Sequence, residues 1–401
     1  MREAVIIDAV RTPIGRYNGS LKSIRPDDLG AVVIKALIDR NPMVPPAEIE
    51  EVVLGNANGA GEDNRNVARM SALLAGLPVS TAGTTINRLC GSGLDAVSYC
   101  ARAILAGEGD IFIAGGTESM TRAPFVMAKP ESEFPRGNME MYDTTIGWRF
   151  INSRLQEMYG THSMPETAEN VTKKYGITRE AQDAFAAESQ ARAEAAAASG
   201  RFKEEMIPVS VKDRKGNESV VDRDEHPRLG TTAEKLARLK PLFNEGTVTA
   251  GNASGVNDGA SAILLMSREK AEQLGVKPLA KYIVSSVAGL EPSIMGMGPV
   301  YAVRKAMQRA GVTVSDLDLI ELNEAFAAQC IACMNELGLD SSRVNVNGGA
   351  IAFGHPLGAS GARILTTLLH EMKKRKAKIG LAAMCVGVGQ GIAAIIENLS
   401  N

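Results

Sequence analysis

The sequence repeats itself once at long range. A helical pattern over 28–38 precedes the run Ile49-Glu50-Glu51-Val52-Val53-Leu54-Gly55, and a second over 300–310 precedes Leu317-Asp318-Leu319-Ile320-Glu321-Leu322-Asn323. Further on, Cys90-Gly91-Ser92-Gly93 opens a helix leading to Ile111-Phe112-Ile113-Ala114-Gly115-Gly116. Correspondingly, Gly358-Ala359-Ser360-Gly361 opens one leading to Leu381-Ala382-Ala383-Met384-Cys385. The order and spacing recur, with a period far longer than that of solenoid repeats. A chain of this kind is expected to fold as two similar α/β halves; the alternative is two βα units that resemble each other by coincidence.

Short β-branched runs at 4–9, 52–54, 111–114, 262–266, 319–322 and 381–384 read as buried strands. Longer periodic stretches at 28–40, 93–106, 300–310 and 359–373 read as helices. This alternation predicts an α/β protein with a largely parallel sheet. Between the halves, 121–250 breaks the pattern: it is rich in charge, holds the one Trp, and contains an Ala-rich helix over 179–199 with Thr178 before it and Gly200 after it. The expected organisation is a first half from 1–120 plus 251–275, an inserted loop domain over 121–250, and a second half over 276–401. At 401 residues the chain is too long for one ordinary core.

A formal net charge of -2 argues against a nucleic-acid partner or an anionic membrane surface, because both need a clustered positive excess. No apolar run reaches the ~20 residues that a membrane span requires. The N-terminus lacks a signal-peptide pattern and 398–401 lack a lipidation motif, so the cytoplasm is the expected compartment. Five cysteines, an odd number, do not suggest a disulfide framework. Cys330 and Cys333 form a lone C-x-x-C, read as two small apolar residues on one helix face, since a zinc site would need further ligands nearby.

Four segments carry chemistry. In Asn87-Arg88-Leu89-Cys90-Gly91-Ser92-Gly93, the cysteine lies at a predicted helix N-terminus, where amide groups and the helix dipole favour a thiolate and free N–H groups can cradle an oxyanion. In Gly354-His355-Pro356-Leu357-Gly358-Ala359-Ser360-Gly361, the histidine lies on a glycine-rich turn before the corresponding helix, where it can meet Cys90 as a base. Met384-Cys385-Val386-Gly387-Val388-Gly389 puts a second cysteine at a strand's carboxyl end, and lacks the Lys-Ser/Thr of a nucleotide-phosphate loop. In Glu321-Leu322-Asn323-Glu324-Ala325-Phe326-Ala327, Asn323 can hold a water or donate to an oxyanion, and Glu324 reads as a base or a helix cap. The plain alternative for each cysteine is a buried structural thiol, and for the histidine a packed or solvated side chain.

Taken together, N-x-x-C-x-S-G at Cys90, N-E-A-F-A at Asn323, G-H-P-x-G-x-S-G at His355 and C-x-G-x-G-x-G at Cys385 resemble the thiolases, as does Gly251-Asn252-Ala253-Ser254-Gly255-Val256-Asn257-Asp258-Gly259-Ala260. The resemblance runs from Arg11-Thr12-Pro13-Ile14-Gly15 to Gly391. It implies the thiolase fold: duplicated α/β halves in five layers, αβαβα, with an inserted loop domain. It also implies that Cys90, activated by His355, attacks the 3-keto carbon of a 3-ketoacyl-CoA, and that Cys385 protonates the leaving acetyl-CoA enolate and then deprotonates incoming CoA. One oxyanion hole would use His355 and a water held by Asn323; the other would use the N–H groups of Cys90 and Gly387. Ser254, Ala325, Phe326, Met295 and Met164 match positions lining the pantetheine tunnel, and Arg228 one near the nucleotide. CoA is then a co-substrate, with no metal or redox cofactor, and the assembly a homotetramer or homodimer.

Asp143-Thr144-Thr145-Ile146-Gly147-Trp148-Arg149-Phe150-Ile151-Asn152, Ser163-Met164-Pro165-Glu166-Thr167-Ala168 and Asp224-Glu225-His226-Pro227-Arg228 look like the 3-oxoadipyl-CoA thiolases of aromatic degradation. Ser163-Met164-Pro165 departs from the His-Met-Gly usual in acetoacetyl-CoA thiolases, with His162 adjacent. An adipyl chain ends in a carboxylate, and the expected partner is Arg149 or another basic residue of the inserted lobe. The alternatives are a general acetoacetyl-CoA thiolase (acetyl-CoA acetyltransferase), a medium-chain 3-ketoacyl-CoA thiolase, or a non-catalytic lipid carrier of the same fold. Decarboxylating ketoacyl synthases share the fold but pair one cysteine with two histidines, where this chain has Cys385.

Overall fold

The computed structural model describes residues 2–212 and 215–400. The first half holds β1 (Ala4–Arg11), α1 (Pro26–Arg40), β2 (Glu51–Gly55), α2 (Val67–Leu74), β3 (Ala82–Ile86), α3 (Ser92–Ala106) and β4 (Ile111–Ser119). The intervening lobe carries α4 (Ser153–Tyr159), α5 (Met164–Tyr175) and α6 (Arg179–Ala198), and the chain returns through β5 (Asn257–Ser267). The second half holds β6 (Ala280–Gly289), α7 (Gly298–Ala310), β7 (Leu319–Leu322), α8 (Ala327–Leu337), α9 (Leu357–Arg375), β8 (Ile379–Val386) and β9 (Gln390–Asn398).

The duplication is visible in the strand order. Along the main sheet the path is β7–β8–β9–β6–β1–β5–β4–β2–β3. The first half reads β1–β5–β4–β2–β3 outward from the middle; the second reads β6–β9–β8–β7, followed by a bridge from Ile320 to Val344 that stands where β3 stands. Within the sheet the halves pair through Val5 with Lys281 and Ile6 with Ala280. The expectation of a largely parallel sheet is overturned. β2 runs parallel to β3 and β4, and β7 to β8, but β1–β5, β5–β4, β6–β9, β8–β9 and β1–β6 are antiparallel. The cause is local: β9 follows β8 through the tight turn Gly387–Gly389, which permits only an antiparallel return, and β5 re-enters after the lobe in the same relation to β4.

Alternate residues of each strand feed different apolar layers, as the two-residue period of a strand requires. Ile263 and Leu265 of β5 face the central layer, while Leu264 and Met266 face the outer layer with α1. Ile392 and Ile396 of β9 also face the central layer, and Ala393 and Ile395 face the outer layer with α7. Helices α3 and α9 occupy the central layer and pack on each other and on both halves of the sheet; α1 and α2 cover one outer face, and α7 with α8 the other. The result is αβαβα. Each fully buried Leu or Ile in these layers contributes roughly 1.5–3 kcal/mol.

Two glycines set the spacing of the central pair. A Cβ on Gly93 of α3 would lie 2.7 Å from the Gly358 carbonyl oxygen and 2.8 Å from the Ala362 nitrogen, and one on Gly361 of α9 would run into the Leu94 backbone. The helices therefore cross at backbone contact near their N-termini, the ends that carry Cys90 and His355. The lobe is tied on by buried charge. Arg11, at the end of β1, pairs with Glu205 at 2.7 Å and Asp224 at 2.7 Å; Arg201 pairs with Glu205 at 3.0 Å and with Glu371 of α9. Cys330 and Cys333 lie in the outer apolar layer on α8, the Cys333 thiol donating to the Gly296 carbonyl at 3.3 Å. Among the described residues no helix is long and apolar enough to cross a membrane.

Candidate active site

Cys90 stands two residues before α3, whose first residue is Ser92 and whose N-cap is Gly91. Leu89, just before it, has φ 48°, a left-handed conformation that a branched side chain adopts at a cost. Ser92 holds this bend from both sides: its Oγ accepts the Arg88 N–H at 2.8 Å and donates to the Leu89 carbonyl at 2.6 Å. The loop packs against the end of β8. A Cβ on Gly91 would meet Val386 at 2.8 Å, and one on Gly387 would meet Leu89 at 3.0 Å. This packing brings the Gly387 N–H onto the Cys90 sulfur.

His355 occupies the corresponding place in the other half. Gly354 (φ 99°) turns the chain, Pro356 caps α9, and the His355 N–H donates to Asn257 Oδ1 at 2.9 Å. Ser360, the counterpart of Ser92, donates its one hydroxyl proton to the Pro356 carbonyl at 2.8 Å. With that donor direction its oxygen, 2.6 Å from His355 Nδ1, is the acceptor there, an assignment that puts the imidazole proton on Nδ1 and the lone pair on Nε2. Asn323, immediately after β7, lies with its amide nitrogen 3.5 Å from Nε2; its Oδ1 is buried and has no donor among the described residues.

Cys385 is the penultimate residue of β8 and is buried beside Met295, Ala325 and Phe326, with Met164 packed on the same cluster. The Ser254 N–H donates to the Ala325 carbonyl at 2.9 Å, placing it on the rim of this apolar patch. The expected pantetheine-lining positions are thus brought together. Arg228 is not among them: it is exposed, on a loop whose N–H is held by Gln190 at 2.9 Å. Glu324 is neither base nor cap; buried, it accepts from Ser189 at 2.7 Å, Asn345 at 2.9 Å and the Ile351 N–H at 3.1 Å, tying α6 to the loop before His355. His162 is exposed, and Ser163 caps α5 through a reciprocal box with Glu166.

A cavity of about 230 Å³ opens above Cys90, lined by Leu89, Met120, Trp148, Met164 and Gly387 among others. Glu118 is part of its wall. Both its oxygens are occupied, accepting N–H groups of Ala57 at 2.7 Å, Gly358 at 2.7 Å and Asn58 at 3.3 Å, and the Asn56 amide at 3.4 Å. Burial, against these bonds, pushes its carboxyl up to about 7. Burial also pushes the Cys90 thiol up to about 11, partly offset by the N–H groups of Gly387 and of Cys90 itself, and pushes His355 down to about 3, with the buried Arg363 adding to it. Cys385 is raised well above the usual thiol range by burial and by the neighbouring Cys90. At neutral pH the site thus rests as neutral thiols beside a neutral imidazole. Among the described residues no group of three or more His, Cys, Asp or Glu side chains is placed to hold a metal ion.

The sequence reading missed Ser360, Glu118 and Asn58. Ser360 was open to discovery, because the duplication aligns it with Ser92 in the Cys90 loop; the other two depend on contacts across 60 residues or more.

Residues 4–269 match the family described as thiolase, N-terminal domain, and residues 276–398 match thiolase, C-terminal domain. The chain belongs to the thiolase family. It is 57% identical over 402 residues, all of both chains, to a protein of Acinetobacter baylyi named beta-ketoadipyl-CoA thiolase. It is 56% identical, again over all of both chains, to an Escherichia coli protein named 3-oxoadipyl-CoA/3-oxo-5,6-dehydrosuberyl-CoA thiolase. A crystal structure of the Bacillus anthracis acetyl-CoA acetyltransferase superposes with a TM-score of 0.93 at 42% identity, covering 100% of this chain and 99% of that one. As a thiolase, the chain is an acyltransferase acting on CoA thioesters.

Proposed function

We propose that this thiolase cleaves 3-oxoadipyl-CoA with CoA, giving succinyl-CoA and acetyl-CoA, through an acyl group carried on Cys90. His355 Nε2 takes the Cys90 proton as sulfur attacks C3; the alkoxide that forms faces the N–H groups of Cys90 and Gly387. The C2–C3 bond then breaks. Its electron pair stays with acetyl-CoA as an enolate, stabilised at its oxygen by the protonated His355 and a water held by Asn323, and takes a proton at carbon from Cys385. The Cys385 thiolate next deprotonates CoA, whose sulfur attacks the Cys90 thioester; Cys90 leaves and recovers its proton from His355. Two thiols and one imidazole carry every proton transfer, and amide groups with one water stabilise the oxyanions, so the scheme calls on no cofactor beyond CoA as co-substrate. The observation that carries it is the Ser360 bond to His355 Nδ1, which assigns the lone pair to Nε2 in a buried site.

The substrate follows from the names of the full-length relatives and from the pocket above Cys90. The alternative, acetoacetyl-CoA as the main substrate, draws on the acetyl-CoA acetyltransferase of like fold. Thiolysis of the two ketoacyl-CoA substrates decides between them. A kcat/KM at least tenfold higher for 3-oxoadipyl-CoA, ~1.4 kcal/mol, supports this assignment, and equal or better acetoacetyl-CoA cleavage removes it. Arg228, exposed on its loop, is read as a contact for the CoA phosphates, with Ser254, Met295, Ala325, Phe326 and Met164 along the pantetheine. Free thiols at all five cysteines suit a reducing compartment, the cytoplasm. The hairpin of Phe125–Met127 and Met141–Asp143 exposes Phe125, Met127, Phe134 and Met141 to solvent, an apolar surface suited to assembly as a homotetramer or homodimer.

A further inference from the structure

A loop over 144–149 forms part of the wall of the Cys90 cavity, and Arg149 is the one cation among the described residues that line the cavity. Its guanidinium has a single hydrogen bond, from Nη2 to Asn58 Oδ1 at 3.3 Å, and pairs with no carboxylate among the described residues. The nearest acid in sequence, Asp143, is occupied: its Oδ1 accepts the Thr145 N–H at 2.8 Å and the Thr145 hydroxyl at 2.6 Å. A guanidinium has five N–H donors, and an arginine beside a mostly apolar pocket with one of them used is suited to a planar two-oxygen partner.

The orientation of this arginine is set from below. The Asn58 amide nitrogen donates to the Thr144 carbonyl at 3.2 Å and to its Oγ1 at 3.0 Å, which fixes Asn58 Oδ1 toward Arg149. The Asn58 N–H is in turn held by Glu118 at 3.3 Å, the same carboxylate that holds the N-terminus of α9 through Gly358. Glu118 is the other charged group in the cavity wall, and its oxygens are turned into four N–H donors rather than toward the space above Cys90. A negative ligand group in the cavity thus meets one free cation and no free anion.

We propose that Arg149, aimed by Asn58, binds the distal carboxylate of the acyl chain and selects ω-carboxyl over neutral 3-ketoacyl-CoA substrates. This rests on the dicarboxylic reading above and adds the residue that reads the second charge. A buried carboxylate without a partner carries a large desolvation cost, so removal of the cation is felt by the charged substrate and not by a neutral one of equal length.

The test is the ratio of kcat/KM for 3-oxoadipyl-CoA to that for 3-oxohexanoyl-CoA, its neutral six-carbon counterpart. A ratio is independent of how much of each preparation is folded. In Arg149→Ala and Arg149→Gln the ratio is expected to fall roughly 10- to 100-fold, with partial recovery in Arg149→Lys, which keeps the charge but not the fork. A parent enzyme that prefers the dicarboxylic substrate, with variants that keep the parental ratio, would overturn the role of Arg149 and leave the substrate reading standing. A parent ratio near one would overturn both.

Discussion

Replacing Ser360 with alanine tests how the imidazole is armed. Ser360 is fully buried, and its oxygen lies 2.6 Å from His355 Nδ1 while its proton goes to the Pro356 carbonyl at 2.8 Å. Alanine leaves the Nδ1–H facing a space with no acceptor, at a cost of about 1–3 kcal/mol for a buried unpaired donor. The ring can escape that cost only by moving its proton to Nε2, the atom that must accept from Cys90. At 1.36 kcal/mol per factor of ten, the competent tautomer is depleted roughly 5- to 150-fold, and kcat falls with it. KM changes little, because Ser360 does not line the cavity. The assay is steady-state thiolysis, followed by loss of the ketoacyl-CoA enolate absorbance, with thermal unfolding in parallel to separate a lost tautomer from a lost fold. A folded Ser360→Ala enzyme with kcat within twofold of the parent would refute the tautomer lock.

Four other outcomes are expected. Alkylation of Cys90 by iodoacetamide should rise about tenfold per pH unit through pH 9, because its thiol is pushed up to about 11 and the thiolate fraction keeps growing below that value; a plateau near pH 7 would contradict this. His355 is pushed down to about 3, below the ordinary imidazole value, so the unfolded chain binds the proton more readily between roughly pH 6.5 and 3. Its contribution to stability is complete above pH 6.5 and is lost as pH falls toward 3, so His355→Asn should flatten the acid side of a plot of Tm against pH. Gly361→Ala forces a methyl against the Leu94 backbone, and should lower stability by about 1–3 kcal/mol and activity with it, checked by denaturant unfolding and thiolysis together. Glu118→Gln turns an NH2 group toward backbone donors that now meet oxygen; a loss of about 1–3 kcal/mol is expected, and unchanged unfolding would contradict that account of the wall.

The two halves were legible in the sequence because each repeats the same local grammar, and the strand order obeys that repeat down to the Ile320–Val344 bridge that replaces β3. The strand directions were not: β3, β6 and β9 carry weak local signals, and the antiparallel partners of β5 lie across the whole lobe. The four chemical segments stood out because Cys90, His355 and Cys385 sit in glycine-rich bends that a chain keeps where backbones touch or a ligand approaches. Glu324 was misread because a carboxylate after a strand looks the same whether it faces a cavity or, as here, Ser189 and Asn345. Asn58 and Glu118 carry no motif at all; their importance comes from partners fixed only when β2, β4 and α9 meet.

The proposed mechanism turns on Cys90 as the carrier of the acyl group. The direct measurement is to mix the enzyme with 3-oxoadipyl-CoA in the absence of CoA, quench in acid, and map the adduct by mass spectrometry of the digested protein. A succinyl group is expected on the Cys90 peptide together with a matching amount of released acetyl-CoA. A succinyl group on Cys385, or acetyl-CoA release without any adduct on Cys90, would contradict it.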